Sequence, residues 1–148
     1  MTGERVQQNL IEAFQHGTFP FLDLLGVEPV EIGDGRASIR LRVEDRHLRV
    51  GGIAHGGVVA SLLDTAVGLS AATVAPHGHD LVTAQLNINF IRPVNRHEVL
   101  IAAGEVLHSG NRTAVCRGEI SHKGRLLATA TGTVIYLPHV EGRDAEES

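Results

Sequence analysis

The sequence has no tryptophan, one tyrosine, four phenylalanines and a single cysteine, Cys116, among its 148 residues. With so few aromatic side chains, the core must be built from aliphatic ones. One cysteine excludes an intrachain disulfide and is compatible with a reducing compartment. The N-terminus also lacks the basic, apolar and small-residue regions of a secretory signal, so we expect a cytoplasmic protein.

A large excess of charge of one sign is missing as well. The formal net charge is −4 with histidine neutral, which argues against nucleic acid and anionic membranes as partners. The sequence contains no G-x-S-x-G, no P-loop and no G-x-G-x-x-G, which removes several enzyme classes. What remains is an ordinary globular composition, 43% hydrophobic and 20% charged, in a chain long enough for one domain.

One long apolar segment organises the sequence. It opens at His55-Gly56-Gly57 and runs to about Ala75, which predicts a helix of roughly five turns. Apolar residues cover most of its circumference, so we expect a buried helix rather than a membrane span. Asp64 lies inside it. Because a buried carboxylate is costly unless it is paired or used, Asp64 is either satisfied by hydrogen bonds or a candidate base or nucleophile.

Small residues form a stripe on this predicted helix. They recur every four residues on one face and flank Asp64: Gly56, Ala60, Gly68 and Ala72. Such a stripe lets a ligand or a second backbone approach closely. The glycines at the start leave N–H groups at a positive helix terminus, which suits an anion or a developing oxyanion.

The remaining elements predict an α+β domain. We expect an N-terminal helix over residues 4–15, a short apolar turn or helix ending at Gly26, and an acidic disordered tail over residues 139–148. Strands are predicted over residues 27–32, 36–43, 82–90, 98–107, 112–121 and 126–137. This order fits a single domain over residues 1–138, with an antiparallel sheet curled around one central helix.

Several polar residues have both a structural and a functional interpretation. Thr83 opens the polar side of the strand after the helix, where it either favours the strand or holds a water against Asp64. His55 orients the loop, acts on water or simply packs. His77, His79 and Asp80 look like metal ligands, but the run is short and has no second cluster, so we predict no metal. Cys116 is expected in the core.

Residues 49–66 resemble the hotdog-fold thioesterases, in particular their phenylacetate-pathway branch. That branch carries the pattern Asn-x-x-Gly-x-x-His-Gly-Gly followed by an aspartate on the helix. The residues that match at this spacing are Gly52, His55, Gly56, Gly57 and Asp64. Residues 24–26 resemble the family's opening strand, residues 87–93 its strand after the helix, and residues 110–112 its next turn, so the resemblance extends over about residues 21–137.

The resemblance implies hydrolysis of acyl-coenzyme A thioesters without metal or cofactor. It makes Asp64 the base or nucleophile, and the Gly56 N–H the group that polarises the thioester carbonyl. It also makes His55 part of the loop that frames the attacking water and Thr83 the hydroxyl that assists. Arg49 stands where the family has asparagine. Since arginine cannot accept a hydrogen bond, the water is held differently, hydrolysis is slower, or Arg49 contacts the substrate.

Substrate binding and assembly complete the expectations. Gly57 belongs to the same helix start, and Arg92 and Arg112 are candidates for the anionic phosphates of coenzyme A. The alternatives are a hotdog-fold hydratase or dehydratase and a non-catalytic acyl-CoA-binding module. Gly56 and Asp64 are eight residues apart, about 12 Å along a helix, too far to act on one carbonyl. We therefore predict a dimer with shared sites, paired again into a tetramer as in the resembling family.

Overall fold

The computed structural model describes residues 12–13, 16 and 19–138. Glu12 and Ala13 are helical, and the rest of the helix predicted over residues 4–15 lies outside the described residues. The tail predicted to be disordered, residues 139–148, lies outside them as well. Within the described part of the chain, no helix has both the length and the apolar character needed to cross a bilayer.

The described chain is a six-stranded antiparallel sheet packed against one main helix. The helices are α1 (Pro20–Leu25) and α2 (Gly56–Ala72), and a 3-10 turn (Asp45–His47) precedes α2. The strands are β1 (Glu28–Gly33), β2 (Arg36–Arg42), β3 (His79–Phe90), β4 (Val99–Ser109), β5 (Thr113–His122) and β6 (Arg125–Pro138). Their order in the sheet is β1-β2-β4-β5-β6-β3. The α+β architecture expected from the sequence is confirmed.

Alternating side chains form the inner face of the sheet. In β2 the buried residues are Ala37, Ile39 and Leu41, while the three arginines of the strand are exposed. The inner face packs on the apolar side of α2, and the core is aliphatic, as expected. Helix and sheet approach most closely at Gly104 in β4, where an added Cβ would lie 2.2 Å from the backbone oxygen of Ala66.

The two edges of the sheet differ. The edge strand β1 carries Pro29 and a register shift between Pro29 and Glu31, as the proline predicts for an edge or a bulge. The other edge is β3, which is twelve residues long, pairs only with β6 among the named strands and is exposed over most of its length. A long edge with free backbone donors and acceptors is able to pair with a further strand.

Strand β3 also contains a bulge that changes the predicted face of Thr83. The register shifts between Thr83 and Gln85: Thr83 lies opposite the buried Val134, whereas Gln85 lies opposite the outward Thr133. The unbroken alternation that placed Thr83 on one face with Gln85 is therefore wrong. The extra residue, Ala84, returns Thr83 to the inner face, towards α2.

Four other local expectations are corrected. Helix α2 ends at Ala72 rather than near Ala75, and β3 begins at His79, so His79 and Asp80 belong to a strand. Residues 24–26 are not a strand: they end α1, and Gly26 caps the helix in a left-handed conformation (φ 84°). Helix α2 is not buried all round, because the carboxylate-bearing Asp64 is exposed. The small residues of the stripe around it are half-buried and lie beside the edge strand β3.

Candidate active site

Asp64 and Thr83 form the centre of the site. The Thr83 hydroxyl donates to the Asp64 Oδ1 over 2.6 Å, which joins the middle of α2 to the first half of β3. The bulge at Ala84 makes this contact possible, since it turns Thr83 towards the helix. The other carboxylate oxygen, Oδ2, has no hydrogen-bond partner within residues 19–138. One oxygen is therefore oriented by a charge-assisted bond and the other is available for a reactant.

The start of α2 offers one free backbone donor. His55 is the N-cap residue, and its Nδ1 accepts the N–H of Gly57 over 2.7 Å. A Cβ at Gly57 would lie 2.9 Å from the same Nδ1, so this cap requires glycine. Within the described chain the N–H of Gly56 has no acceptor. Of the two glycines, Gly56 is thus the one whose N–H can meet an oxyanion at the helix terminus.

The loop before α2 is closed by its own backbone. The N–H of Arg49 donates to Ile53 O over 2.9 Å, and Gly51 and Gly52 between them adopt positive φ angles of 100° and 79°. The exposed Arg49 side chain folds back and donates to the carbonyl of Val50. The residue in the asparagine position is thus engaged with its own loop.

A cavity of about 860 Å³ opens beside Asp64. The small-residue stripe forms one wall through Gly68 and Ala72, and α1 contributes Leu22. The start of β3 and the residues before it form the opposite side, where polar groups gather around the opening: His77, His79, Asp80 and Thr83. The volume lies within the range of sites for small molecules, roughly 300–1,000 Å³.

The two arginines proposed for coenzyme A lie at opposite ends of the sheet. The N–H of Arg92 donates to Leu127 O, whereas the carbonyl of Arg112 accepts the N–H of Tyr136. These two partners are nine residues apart on β6, about 30 Å along a strand. Within one chain Arg92 therefore lies at the Gly56 end and Arg112 at the Asp64 end.

The structure does not bring Gly56 and Asp64 together within one chain either. Both lie in one uninterrupted helix, so their eight-residue separation corresponds to about 12 Å along its axis. The aromatic ring of Phe90 lies at the Gly56 end, 3.4 Å from where a Gly56 Cβ would stand. The start and the middle of α2 thus face different parts of β3.

Two titratable groups with shifted pKa values, Glu105 and Cys116, lie outside the site. Hydrogen bonding and charge attraction from Arg117, with a smaller contribution from Arg36, lower the pKa of Glu105 on the outer face of the sheet. Burial raises the pKa of the Cys116 thiol, which lies in the core as predicted. No group of three or more metal-ligating side chains occurs among the described residues.

Sequence reasoning missed the cavity and two residues around the site. Phe90 was only an apolar residue of the strand pattern, and nothing in that pattern places it beside Gly56. His47 is almost fully buried, although in the sequence it belongs to a polar loop. The spacing Glu44-x-x-His47 before an apolar segment is the signal that could have identified its cap.

Known proteins are similar to this chain in sequence and in fold. The family model of the thioesterase superfamily matches residues 51–129. A solved structure of a conserved protein from Pseudomonas aeruginosa is 34% identical, covering 79% of this chain and 93% of that one with a TM-score of 0.74. A mutant of the phenylacetic acid degradation protein PaaI from Thermus thermophilus is 31% identical, with 80% and 99% coverage and a TM-score of 0.74. A Streptococcus mutans protein solved with acetyl CoA bound is 27% identical, with 78% and 91% coverage and a TM-score of 0.71.

Proposed function

The chain belongs to the thioesterase superfamily, and from that premise we propose that it hydrolyses acyl-coenzyme A thioesters at a site shared between two subunits. Asp64 is the base or nucleophile, and the Gly56 N–H is the oxyanion donor. The observation that carries the proposal is the Thr83–Asp64 hydrogen bond of 2.6 Å beside a large cavity. The free Gly56 N–H at the start of the same helix supplies the second group that the reaction needs.

The reaction follows from these groups. With Asp64 as base, its carboxylate takes a proton from water, and the water oxygen adds to the thioester carbonyl carbon. The carbonyl oxygen gains negative charge and accepts a hydrogen bond from the Gly56 N–H, a contact that contributes about 3 kcal/mol to lowering such a barrier. The C–S bond then breaks, and the thiolate leaves and takes up a proton. With Asp64 as nucleophile, its oxygen makes the first attack and water releases the acyl group afterwards.

Strand β3 supports the shared site. Gly56 lies next to Phe90 at one end of β3, and Asp64 is bonded to Thr83 nearer the other end. If two copies pair through this edge with two-fold symmetry, β3 runs antiparallel to its copy, and the Phe90 end of one subunit meets the Thr83 end of the other. The same pairing carries Gly56 of one subunit towards Asp64 of the other. It also brings the Arg92 end of one subunit to the Arg112 end of its neighbour, where both can approach the phosphates.

The cavity beside Asp64 is the binding site that we propose for the acyl group. Its walls run from Asp64 away from Gly56, so an acyl chain attached at the reacting carbonyl extends along the Gly68–Ala72 side of α2. A volume of about 860 Å³ favours acyl groups larger than acetyl. A thiol-release assay over short, long and aromatic acyl-CoAs tests this, and the specificity constant should rise with acyl size beyond acetyl.

Asp64→Asn tests the catalytic role. The substitution keeps the shape and removes the charge, so thiol release should fall at least about 100-fold while the fold survives. The matched control is Asp34→Asn in the β1–β2 turn, where asparagine tolerates the positive φ of 53°. Near-wild-type turnover by folded Asp64→Asn would falsify the role.

Complementation tests the shared site. Gly56→Pro removes the N–H at the first helical position, where proline is well tolerated, and the extended His55 (φ −62°, ψ 137°) fits a residue before proline. Gly56→Ala is its control, because it adds a Cβ but keeps the donor. Mixed with Asp64→Ala subunits, Gly56→Pro subunits should regain up to one working site per dimer. Confirmed subunit exchange without recovery, or an active monomer, would contradict the model.

A further inference from the structure

His47 connects the loop before α2 to α1 through both nitrogens of a buried ring. Its Nδ1 accepts the backbone N–H of Glu44 over 2.9 Å, and its Nε2 lies 2.7 Å from Leu25 O. Since Nδ1 accepts, the ring proton is on Nε2, which donates to Leu25 O. The side chain is only 1% exposed, so two opposed bonds hold it in one orientation.

The backbone of His47 acts on the other side of the loop. Its carbonyl accepts the N–H of His55 over 2.8 Å. His55 is the N-cap of α2, and the next residue is Gly56 with its free N–H. The direction of the Gly56 N–H thus depends on His55, and His55 is held by the carbonyl of the residue whose ring is fixed at both ends.

The same ring also contacts the helix that forms part of the cavity wall. Leu25 ends α1, and α1 carries Leu22, which lines the cavity beside Asp64. Arg46 also contacts this helix end, since its guanidinium donates to Leu24 O and Leu25 O over 2.9 and 3.2 Å. The two neighbouring residues thus both hold α1. They differ at Glu44: Arg46 pairs with its carboxylate over 3.3 Å, whereas the His47 ring bonds its backbone N–H.

We propose that His47 is a positioning residue for the oxyanion donor: by bonding Glu44 N–H and Leu25 O, its ring fixes the carbonyl that orients His55 and Gly56. The proposal rests on the proposed function, in which the Gly56 N–H meets the substrate oxygen. Misplacing such a donor by about 1 Å can cost on the order of 10²-fold in rate. A misplaced donor lowers kcat rather than raising KM, because the hydrogen bond from the Gly56 N–H strengthens only as negative charge develops on the carbonyl oxygen.

Two polar substitutions separate the two ring contacts. In His47→Asn the side-chain oxygen replaces Nδ1 and can still accept from Glu44 N–H, so the turn is kept. In His47→Gln the amide nitrogen replaces Nε2 and can still donate to Leu25 O, whereas the bond to Glu44 is lost. Arg46→Ala is the control for general destabilisation, since it removes two bonds to α1 and the ion pair with the Glu44 carboxylate but leaves the histidine ring and its two bonds intact.

The experiment measures kcat, KM and urea unfolding for the full-length protein and the three variants. Hydrogen exchange of the His55 amide gives a readout that needs no substrate. We expect His47→Gln to lower kcat about 10- to 100-fold with KM changed less than about threefold, and to speed His55 exchange. Arg46→Ala should stay within about threefold of wild-type kcat, and His47→Asn, which keeps the bond to Glu44 but loses the bond to Leu25, should fall between Arg46→Ala and His47→Gln.

The outcomes separate the two proposals. A wild-type protein that hydrolyses no acyl-CoA overturns the proposed function, whereas the His55 exchange rate still reports whether His47 holds the loop. Wild-type kcat and exchange in His47→Gln would overturn the positioning role. So would an equal loss of kcat in Arg46→Ala at matched stability, because the effect would then follow from destabilisation alone.

Discussion

Gly104→Ala should displace helix α2 from the sheet. An added Cβ would lie 2.2 Å from the Ala66 oxygen, 2.5 Å from its carbonyl carbon and 3.0 Å from the Val67 nitrogen. All three are backbone atoms of α2, so no side-chain rotation relieves the contact. To reach an ordinary separation of 3.4 Å from the oxygen, helix and strand must part by about 1.2 Å.

This displacement lowers the free energy of unfolding because it overpacks the contact between helix and sheet. Overpacking a core typically costs 1–3 kcal/mol, and a clash with backbone belongs at the upper end, so we expect a loss of about 3 kcal/mol in the free energy of unfolding. For a chain of this size that corresponds to a fall in Tm of roughly 6–12 °C. Asp64 lies two residues before Ala66, so the shift also strains its bond to Thr83, and kcat should fall by on the order of 10-fold or more.

Urea unfolding followed by circular dichroism measures the stability, and thiol release measures kcat. The matched control is Gly118→Ala in β5, where an added Cβ would meet the Val67 and Leu63 methyl groups at 3.3 and 3.4 Å. Those side chains can adjust, so this variant should lose about 1 kcal/mol or less. The reasoning is refuted if Gly104→Ala is as stable as Gly118→Ala, since close backbone approach would then not be what requires glycine.

Three further predictions concern single side chains. Thr83→Val removes the bond that orients Asp64 and should lower kcat about 10-fold, whereas Thr83→Ser should stay near wild type; equal rates would show that the hydroxyl is dispensable. Because burial raises the pKa of Cys116, its thiol should stay protonated at neutral pH and resist a thiol-reactive dye until the protein unfolds, and rapid labelling of the native protein would contradict this. Because Arg117 and, less strongly, Arg36 lower the pKa of Glu105, the stability it adds should be lost as pH falls through that lowered pKa. Glu105→Gln should lack this acid-dependent loss at low salt, and an unchanged pH profile would count against it.

The sequence contained enough to predict the main elements of the fold. Residues of the long helix carry apolar side chains on every side that the sheet covers, and the strands alternate between buried and exposed positions. These are local patterns with a fixed period, and they identify each element without knowledge of its neighbours. The start of the helix was equally predictable, because paired glycines before an apolar segment leave backbone N–H groups free at a helix terminus.

The features that the sequence did not predict depend on contacts between distant segments. The face of Thr83 follows from a bulge at Ala84, and a bulge leaves no period in the sequence. The exposure of Asp64 depends on which side of α2 the sheet leaves open. The ring of His47 is buried because α1 ends against it, a tertiary contact between residues 22 positions apart. Patterns within one segment carry no information on such contacts.

The bulge in β3 makes one residue of the strand dispensable and fixes the number of the others. Thr83 and Gln85 lie opposite Val134 and Thr133, which are adjacent in β6, so the ladder skips Ala84. Deleting Ala84 would leave Thr83 and Gln85 adjacent and, because side chains of a regular strand alternate, still on opposite faces. A single-residue deletion among residues 85–89 would instead move the side chains on one side of it to the other face. Related chains can therefore lack Ala84 and keep the Thr83–Asp64 contact, whereas a deletion further along β3 would turn Thr83 away from Asp64 or place Asn89 in the core.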